Sequence, residues 1–333
     1  MSAPPRRLAA AIAAAQSALD KAALHAIVDS VSGARGEIVG EYRFLALSLF
    51  LAGLIVAPCL FSAHAFLAGT LAAAATVVAL VRLVGGGPRR SLFVEAVLLR
   101  AAMIDHGLVP RDRAACAVAL RDWRTEFPEF ELGEDQHIAC MATGTWSVGV
   151  PGIADQEVAL YRFCYTGGDD SVRTRFGVVA SLPAPAGIAM STVRKPRLPE
   201  PFRTNDVAFD ARFRCASTGP RALRAVTRGL LDRLGAFERV TDKVDVHMGG
   251  RRVCLSFDTS DLFRPPVAAY THDALRLKAR IDQRGRLPRY EACLEVLQAI
   301  APSVLPDELR DALRRGGRSG TRSEPRLKPP SAP

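Results

Sequence analysis

The sequence predicts an α+β protein: an N-terminal helix, a two-helix transmembrane hairpin, then a cytosolic domain of antiparallel strands packed with helices. Three observations carry that reading. Residues 44–81 hold no Asp, Glu, Lys or Arg. Short alternating segments after residue 128 are separated by Gly-rich turns. Several other stretches repeat apolar residues at helical spacing between Pro and Gly punctuation.

Residues 6–31 read as one Ala-rich helix whose weak apolar face runs through Leu8, Ile12, Leu19, Ala23 and Ile27. The apolar run after Arg6-Arg7 is mostly alanine and gives way to Gln16, Asp20 and Lys21, which argues against a signal peptide. The uncharged run from Phe44 to Val81 would be ~57 Å long as one helix, too long for a single ~30 Å crossing. Pro58, Ser62 and His64 lie near its middle, so the expectation is two spans, 44–60 and 65–84, joined by a tight turn. Arg35 and Arg43 precede the first span, and Arg82, Arg89 and Arg90 follow or end the second, which predicts both termini in the cytoplasm.

A helix over 91–106 is expected next, with Gly107 as its cap and Pro110 opening another to about residue 127. Residues 145–148, 158–165 and 172–181 read as strands, the last two flanking Thr166-Gly167-Gly168-Asp169-Asp170. Five prolines in 183–201 predict an irregular crossing. Residues 207–215 alternate as a strand, and a helix is expected from Pro220 to Gly235. Residues 244–257 around Gly249-Gly250 predict a two-residue hairpin, with Val246 facing Val253 and Val244 facing Leu255. Asp245, His247 and Arg252 then fall on its polar side. Helices are expected around Leu275–Ile281 and over 288–300 and 306–315, before a flexible basic tail. The expected divisions are therefore 1–43, 44–84, 88–309 and 310–333.

The sequence from FRTNDVAFDARFRCASTGPRALRAVTRGLLDRLGAFERV into VDVHMGGRRVCLSFDTSDLF, together with the Tyr161–Tyr165 strand and Phe176-Gly177, resembles an uncharacterised bacterial membrane-protein family with two transmembrane segments followed by a cytosolic α+β domain. The resemblance spans roughly residues 35–300. It implies a membrane-anchored cytosolic domain of unknown role and supplies no catalytic residues; the two expected spans and their basic flanks give the expected location, multi-pass in the bacterial inner membrane.

Formal net charge is +10, and Arg outnumbers Lys 39 to 5. Residues 310–333 carry seven basic residues against two acidic ones, so half of the excess sits in a tail rather than on a folded basic face. With no recognised motif or basic-aromatic stripe, no specific nucleic acid is expected as a partner. Arg314, Arg315, Arg318, Arg322 and Arg326 are the candidate contacts to anionic lipid. The expected partners are the lipid bilayer, through residues 44–84, and a membrane or cytosolic protein.

The seven cysteines show no C-x-x-C spacing, which reads as reduced thiols. Gly85-Gly86-Gly87-Pro88 lacks the G-K-[ST] ending of a P-loop, and no H-E-x-x-H or G-x-S-x-G occurs. No catalytic, metal or cofactor residues are predicted. The polar candidates are His137 with Cys140, three apart and on one face if helical; Asp169 and Asp170, carboxylates in a turn; and His247 on the hairpin. The functional expectation is a membrane-anchored scaffold or recruitment protein without intrinsic catalysis. The alternative is a membrane-bound enzyme, a hydrolase for instance, with a site assembled only by folding.

Overall fold

The computed structural model describes residues 4–32, 43–62, 66–84, 88–149, 153–182, 187–258, 262–264 and 273–305. In chain order the first helices are α1 (Pro4–Ser17), α2 (Lys21–Val31), α3 (Arg43–Ser62), α4 (Phe66–Val84) and α5 (Pro88–Asp105). A two-residue strand β1 (Val109–Pro110) and helix α6 (Arg113–Arg124) follow, then a 3-10 turn over Pro128–Glu131. Strands β2 (Glu134–Trp146), β3 (Gln156–Thr166), β4 (Val172–Ser181), β5 (Ile188–Ser191) and β6 (Glu200–Phe202) come next. The remainder is α7 (Val207–Asp210), β7 (Arg214–Ser217), α8 (Arg228–Glu238), β8 (Asp245–Gly249), β9 (Arg252–Phe257), α9 (Ala274–Asp282) and α10 (Pro288–Ile300). The chain divides into two compact units, residues 1–110 with 263–288 and residues 111–262 with 289–333.

In the first unit, α1, α2, α5 and α9 share a core. Leu8, Ala15, Leu24, Val28, Phe93, Val97, Leu277 and Ile281 are all buried in it. The single helix expected over 6–31 is two, because the Asp20 carboxylate accepts the Ala23 N–H at 2.7 Å and caps a new start. Arg100 is buried at the end of this core. Its Nε donates to the Ala18 carbonyl at 2.6 Å and its Nη1 to the Leu108 carbonyl at 3.1 Å, covering carbonyls left open where α1 and α5 end.

The α+β architecture is present; the transmembrane hairpin is not supported. Among the described residues no helix is long and apolar enough to cross a membrane. The expected spans 44–60 and 65–84, and with them a multi-pass inner-membrane placement, are therefore not supported. An uncharged run is not the same as a continuously apolar one. Gly53, Pro58, Ser62, Thr70 and Thr76 interrupt the run with small, cyclic or hydroxylated side chains, and it folds as two separate helices, α3 and α4. The two pack on each other. A Cβ built on Gly53 would lie 1.8 Å from Thr76 Oγ1, so only a glycine permits this approach.

In the second unit the strands run in the order β2-β3-β4-β9-β8-β5-β7-β6, every neighbouring pair antiparallel. One sheet face carries Ile138, Met141, Ala159, Tyr161, Phe163, Val179 and Cys254 against α6 and the 3-10 turn, through Leu120, Trp123, Phe127 and Phe130. The opposite face carries Val253, Leu255 and Phe257, and the Phe257 ring meets Phe237 of α8 at 5.3 Å.

Several local expectations shift. Of residues 145–148 only 145 and 146 are strand, the end of a thirteen-residue β2 that starts at Glu134. The 207–215 alternation resolves into helix α7 and strand β7. The Asp206 carboxylate accepts the N–H groups of Ala208 and Phe209, both at 3.1 Å, and Phe209 stacks on Phe213 at 4.2 Å. The helix from Pro220 is a 3-10 turn over Ala222–Ala225 followed by α8, which Thr227 caps and Gly235 does not end. β5 lies within the proline-rich crossing of 183–201, and β6 begins at its end. In the β8–β9 hairpin the turn residues are Gly250 and Arg251, Gly250 having φ 52°, so Val246 faces Leu255 and Met248 faces Val253. The partner changes by two positions, which leaves the side chains on their predicted faces. The expected helix at 306–315 and the basic tail, with Arg314, Arg315, Arg318, Arg322 and Arg326, lie outside the described residues.

Candidate functional site

The sheet face under α6 ends in a buried ionic cluster on the second unit. Arg175 of β4 reaches past the end of β9. Its Nε donates to Glu129 Oε1, Nη1 to Asp258 Oδ1 at 2.6 Å, and Nη2 to Asp245 Oδ2 and Ser256 Oγ, both at 2.9 Å, and to the Lys243 carbonyl at 3.2 Å. Alternation explains the convergence. Asp245 lies opposite Ser256 in the β8–β9 ladder, and β4 pairs with β9, so these side chains stand on one face. The Pro128–Glu131 turn drops Glu129 onto that face with only 3% exposure. Arg194 closes the cluster by pairing with Glu129 and, at 3.1 Å, with Asp245 Oδ2. Lys243 Nζ pairs with the other Asp258 oxygen at 2.6 Å. Burial pulls the Arg175 guanidinium down, but Glu129, Asp245 and Asp258 outweigh it, and the net direction is up. The Arg175 guanidinium therefore keeps its charge although it is buried.

Beside it lies a pocket of ≈ 40 Å³ whose walls include Ser191, Arg194, Lys195, Asp245, His247 and Ser256. That volume suits a few waters or a very small molecule. Ser191 sits opposite Asp245 across the β5–β8 ladder. Its Oγ accepts the Val193 and Arg194 N–H groups at 3.1 and 3.0 Å, which shapes the turn that presents Arg194.

Catalytic activation is weak here. Burial pushes the Cys254 thiol up, and the Tyr161 hydroxyl against it, 3.3 Å away, is raised by burial as well. Burial likewise pushes Cys215 up to about 12, so neither thiol is a thiolate at neutral pH. His247 is lowered by burial first and by Arg194 second, against an opposing pull from Asp245. Ser191, His247 and Asp245 share the pocket, yet no hydrogen bond joins serine to histidine, so the nucleophile–base contact that defines a triad is missing.

Of the polar residues singled out in the sequence, only His247 enters this pocket. His137 is exposed on β2, its Nδ1 3.1 Å from the Asp135 carbonyl. Cys140 lies on the same strand, so the two occupy different rungs of the ladder, opposite Cys164 and Arg162 respectively, rather than one helical face. Asp169 is a turn residue. Hydrogen bonds from Ser171 and Arg173 hold its exposed carboxyl at about 2. Asp170 follows it with φ 56°. Among the described residues no group of three or more His, Cys, Asp or Glu is placed to hold a metal ion. Arg175 and Glu129 carry no mark in the sequence, because a charged residue in a strand or beside a turn looks like one more solvated charge.

The first unit carries a different feature. Leu49, Leu54 and Ile55 of α3 and Leu67, Leu71 and Val77 of α4 are each between 53% and 79% exposed, on a hairpin that packs chiefly on itself.

No family model, curated protein or solved structure matches this chain.

Proposed function

We propose that the protein is a non-catalytic scaffold or recruitment protein that assembles through the α3–α4 hairpin with a second copy of itself. The carrying observation is the apolar exposure on both helices. With their exposed neighbours these side chains present on the order of 1,000 Å² of apolar surface, comparable with the roughly 800 Å² each partner gives to a standard interface. Two hairpins combine naturally into a four-helix bundle. Charge favours a like partner: residues 44–81 are uncharged, and Arg43 and Arg82 sit in the first turn of α3 and the last turn of α4, at the same end of the hairpin. A two-fold antiparallel arrangement puts the arginines of the two copies at opposite ends.

Light scattering on the eluting full-length chain, without detergent, tests the reading. The expected result is a dimer that becomes monomeric in a Leu54→Glu, Leu71→Glu double variant with unchanged circular dichroism. A monomeric parent protein, a variant of unchanged mass, or capture of the chain by lipid vesicles in place of self-association would each overturn it.

A further inference from the structure

Asp245 is 7% exposed, and its two carboxylate oxygens are treated very differently. Oδ2 is held by Arg175 and Arg194. Oδ1 is buried and has no hydrogen-bond partner among the described residues. An ionised oxygen left alone in a protein interior is unfavourable, and such groups ordinarily find a donor. Asp245 is among the residues lining the ≈ 40 Å³ pocket, so a donor seated there lies beside its carboxylate.

The other walls narrow its nature. Ser191 Oγ already accepts two backbone N–H groups, which leaves its hydroxyl proton to be donated outward. Lys195, also on the wall, is exposed and has no ion pair among the described residues, whereas its neighbour Arg197 is paired with Glu131. The pocket therefore offers one vacant acceptor and one vacant cation with a hydroxyl donor. A lone anion would satisfy Lys195 but face Asp245 Oδ1; a lone cation would satisfy Oδ1 but face Lys195 and Arg194. A molecule carrying both an ammonium and a carboxylate meets both demands.

We infer that this pocket binds a small zwitterion of the α-amino acid type, its ammonium donating to Asp245 and its carboxylate held by Lys195 and the Ser191 hydroxyl. Glycine and L-alanine, the smallest members of that class, are the probes.

Calorimetric titration of the full-length chain tests it, with ammonium chloride and inorganic phosphate as one-sided comparators. Glycine or L-alanine is expected to bind in about the millimolar range and each comparator far more weakly. Lys195→Gln, at an exposed position, is expected to weaken binding roughly tenfold while leaving the melting temperature of the free protein unchanged. Asp245→Asn is expected to abolish binding; because Asp245 also holds Arg175, Lys195→Gln remains the deciding variant. Absence of binding by both amino acids, equal binding of phosphate, or unaltered affinity in Lys195→Gln overturns the assignment. The site lies wholly in the second unit, so none of these outcomes bears on hairpin self-association.

Discussion

Arg175 donates its Nε–H to Glu129, 46 residues earlier in the chain, and the two side chains are 5% and 3% exposed. Few ion pairs among the described residues are so completely removed from water, and this one is tied to Asp245, Asp258 and Ser256 as well. Taking Arg175 away leaves Glu129 and Asp245 as buried carboxylates with only Arg194 to share. Arg175→Met is therefore expected to cost about 3–5 kcal/mol, read as a lower urea midpoint at unchanged slope. Arg175→Lys keeps the charge but not the planar fork that serves Glu129, Asp258 and Asp245 together, so it is expected to lie between the two. A midpoint within error of the parent for Arg175→Met would show that the cluster carries no net stability.

Gly177 is the second test position. It lies opposite Tyr161 on β3 and Ser256 on β9, and the Tyr161 ring crosses it to bring its hydroxyl to Cys254. A Cβ at 177 would stand 2.3 Å from the Leu255 carbonyl oxygen and 2.5 Å from the Tyr161 hydroxyl. Gly177→Ala is expected to destabilise by roughly 1–3 kcal/mol, because neither the ladder backbone nor a fully buried tyrosine has room to move. Thermal melting of the two proteins measures it. A neutral or stabilising alanine would mean that β4 and β3 are less tightly opposed than the structure shows.

His247 gives a pH dependence. Its folded pKa is lowered, by burial first and by Arg194 second, with Asp245 opposing; Phe127 packs edge-on at 5.8 Å. Between the folded value and the unfolded value of about 6.5, the unfolded chain binds more protons, so stability falls as pH falls through that window. The full contribution is present above about pH 6.5. Urea midpoints measured from pH 8 to pH 5 are expected to drop more steeply in the parent protein than in His247→Gln, and parallel curves would remove His247 as the cause.

The α3–α4 contact makes a fourth prediction. Gly53→Leu places a side chain where Thr76 Oγ1 stands, and Thr76 is itself held by the Ala72 carbonyl at 2.8 Å. The helices must separate, and the expected consequence is loss of the compact hairpin. Amide hydrogen exchange over α3 and α4, compared with and without Gly53→Leu, reads the separation as lost protection, and unchanged protection would show that the contact tolerates the side chain.

Much of the fold was legible because its signals are local. The 288–300 helix, the 172–181 strand and the faces of the β8–β9 hairpin follow from spacing and turn residues. Phe209 and Phe213 misled because a gap of four residues satisfies a strand's alternation as well as a helical turn, and Asp206 decides between them only through its cap. The hairpin misled for a different reason: absence of charge was read as lipid solubility, although small and hydroxylated side chains also leave a run uncharged. The ionic cluster was hardest to see. Glu129, Arg175, Asp245 and Asp258 come from four separate segments, and nothing in the immediate neighbourhood of any of them marks it as buried. Asp245 and His247 were placed correctly on the polar side of their hairpin; what was invisible is that another layer covers that side.

The first unit takes α9 from residues that are made only after residues 111–262 of the second. Ala274, Leu277 and Ile281 fill the core begun by Leu8, Leu24 and Phe93. During synthesis the N-terminal helices therefore emerge long before their last packing partner and must wait, incompletely closed, while the sheet unit is translated. A gene fragment ending at residue 110 would reproduce that unfinished intermediate permanently, so dissecting this protein requires grafting 263–288 onto the N-terminal piece rather than simply cutting the chain.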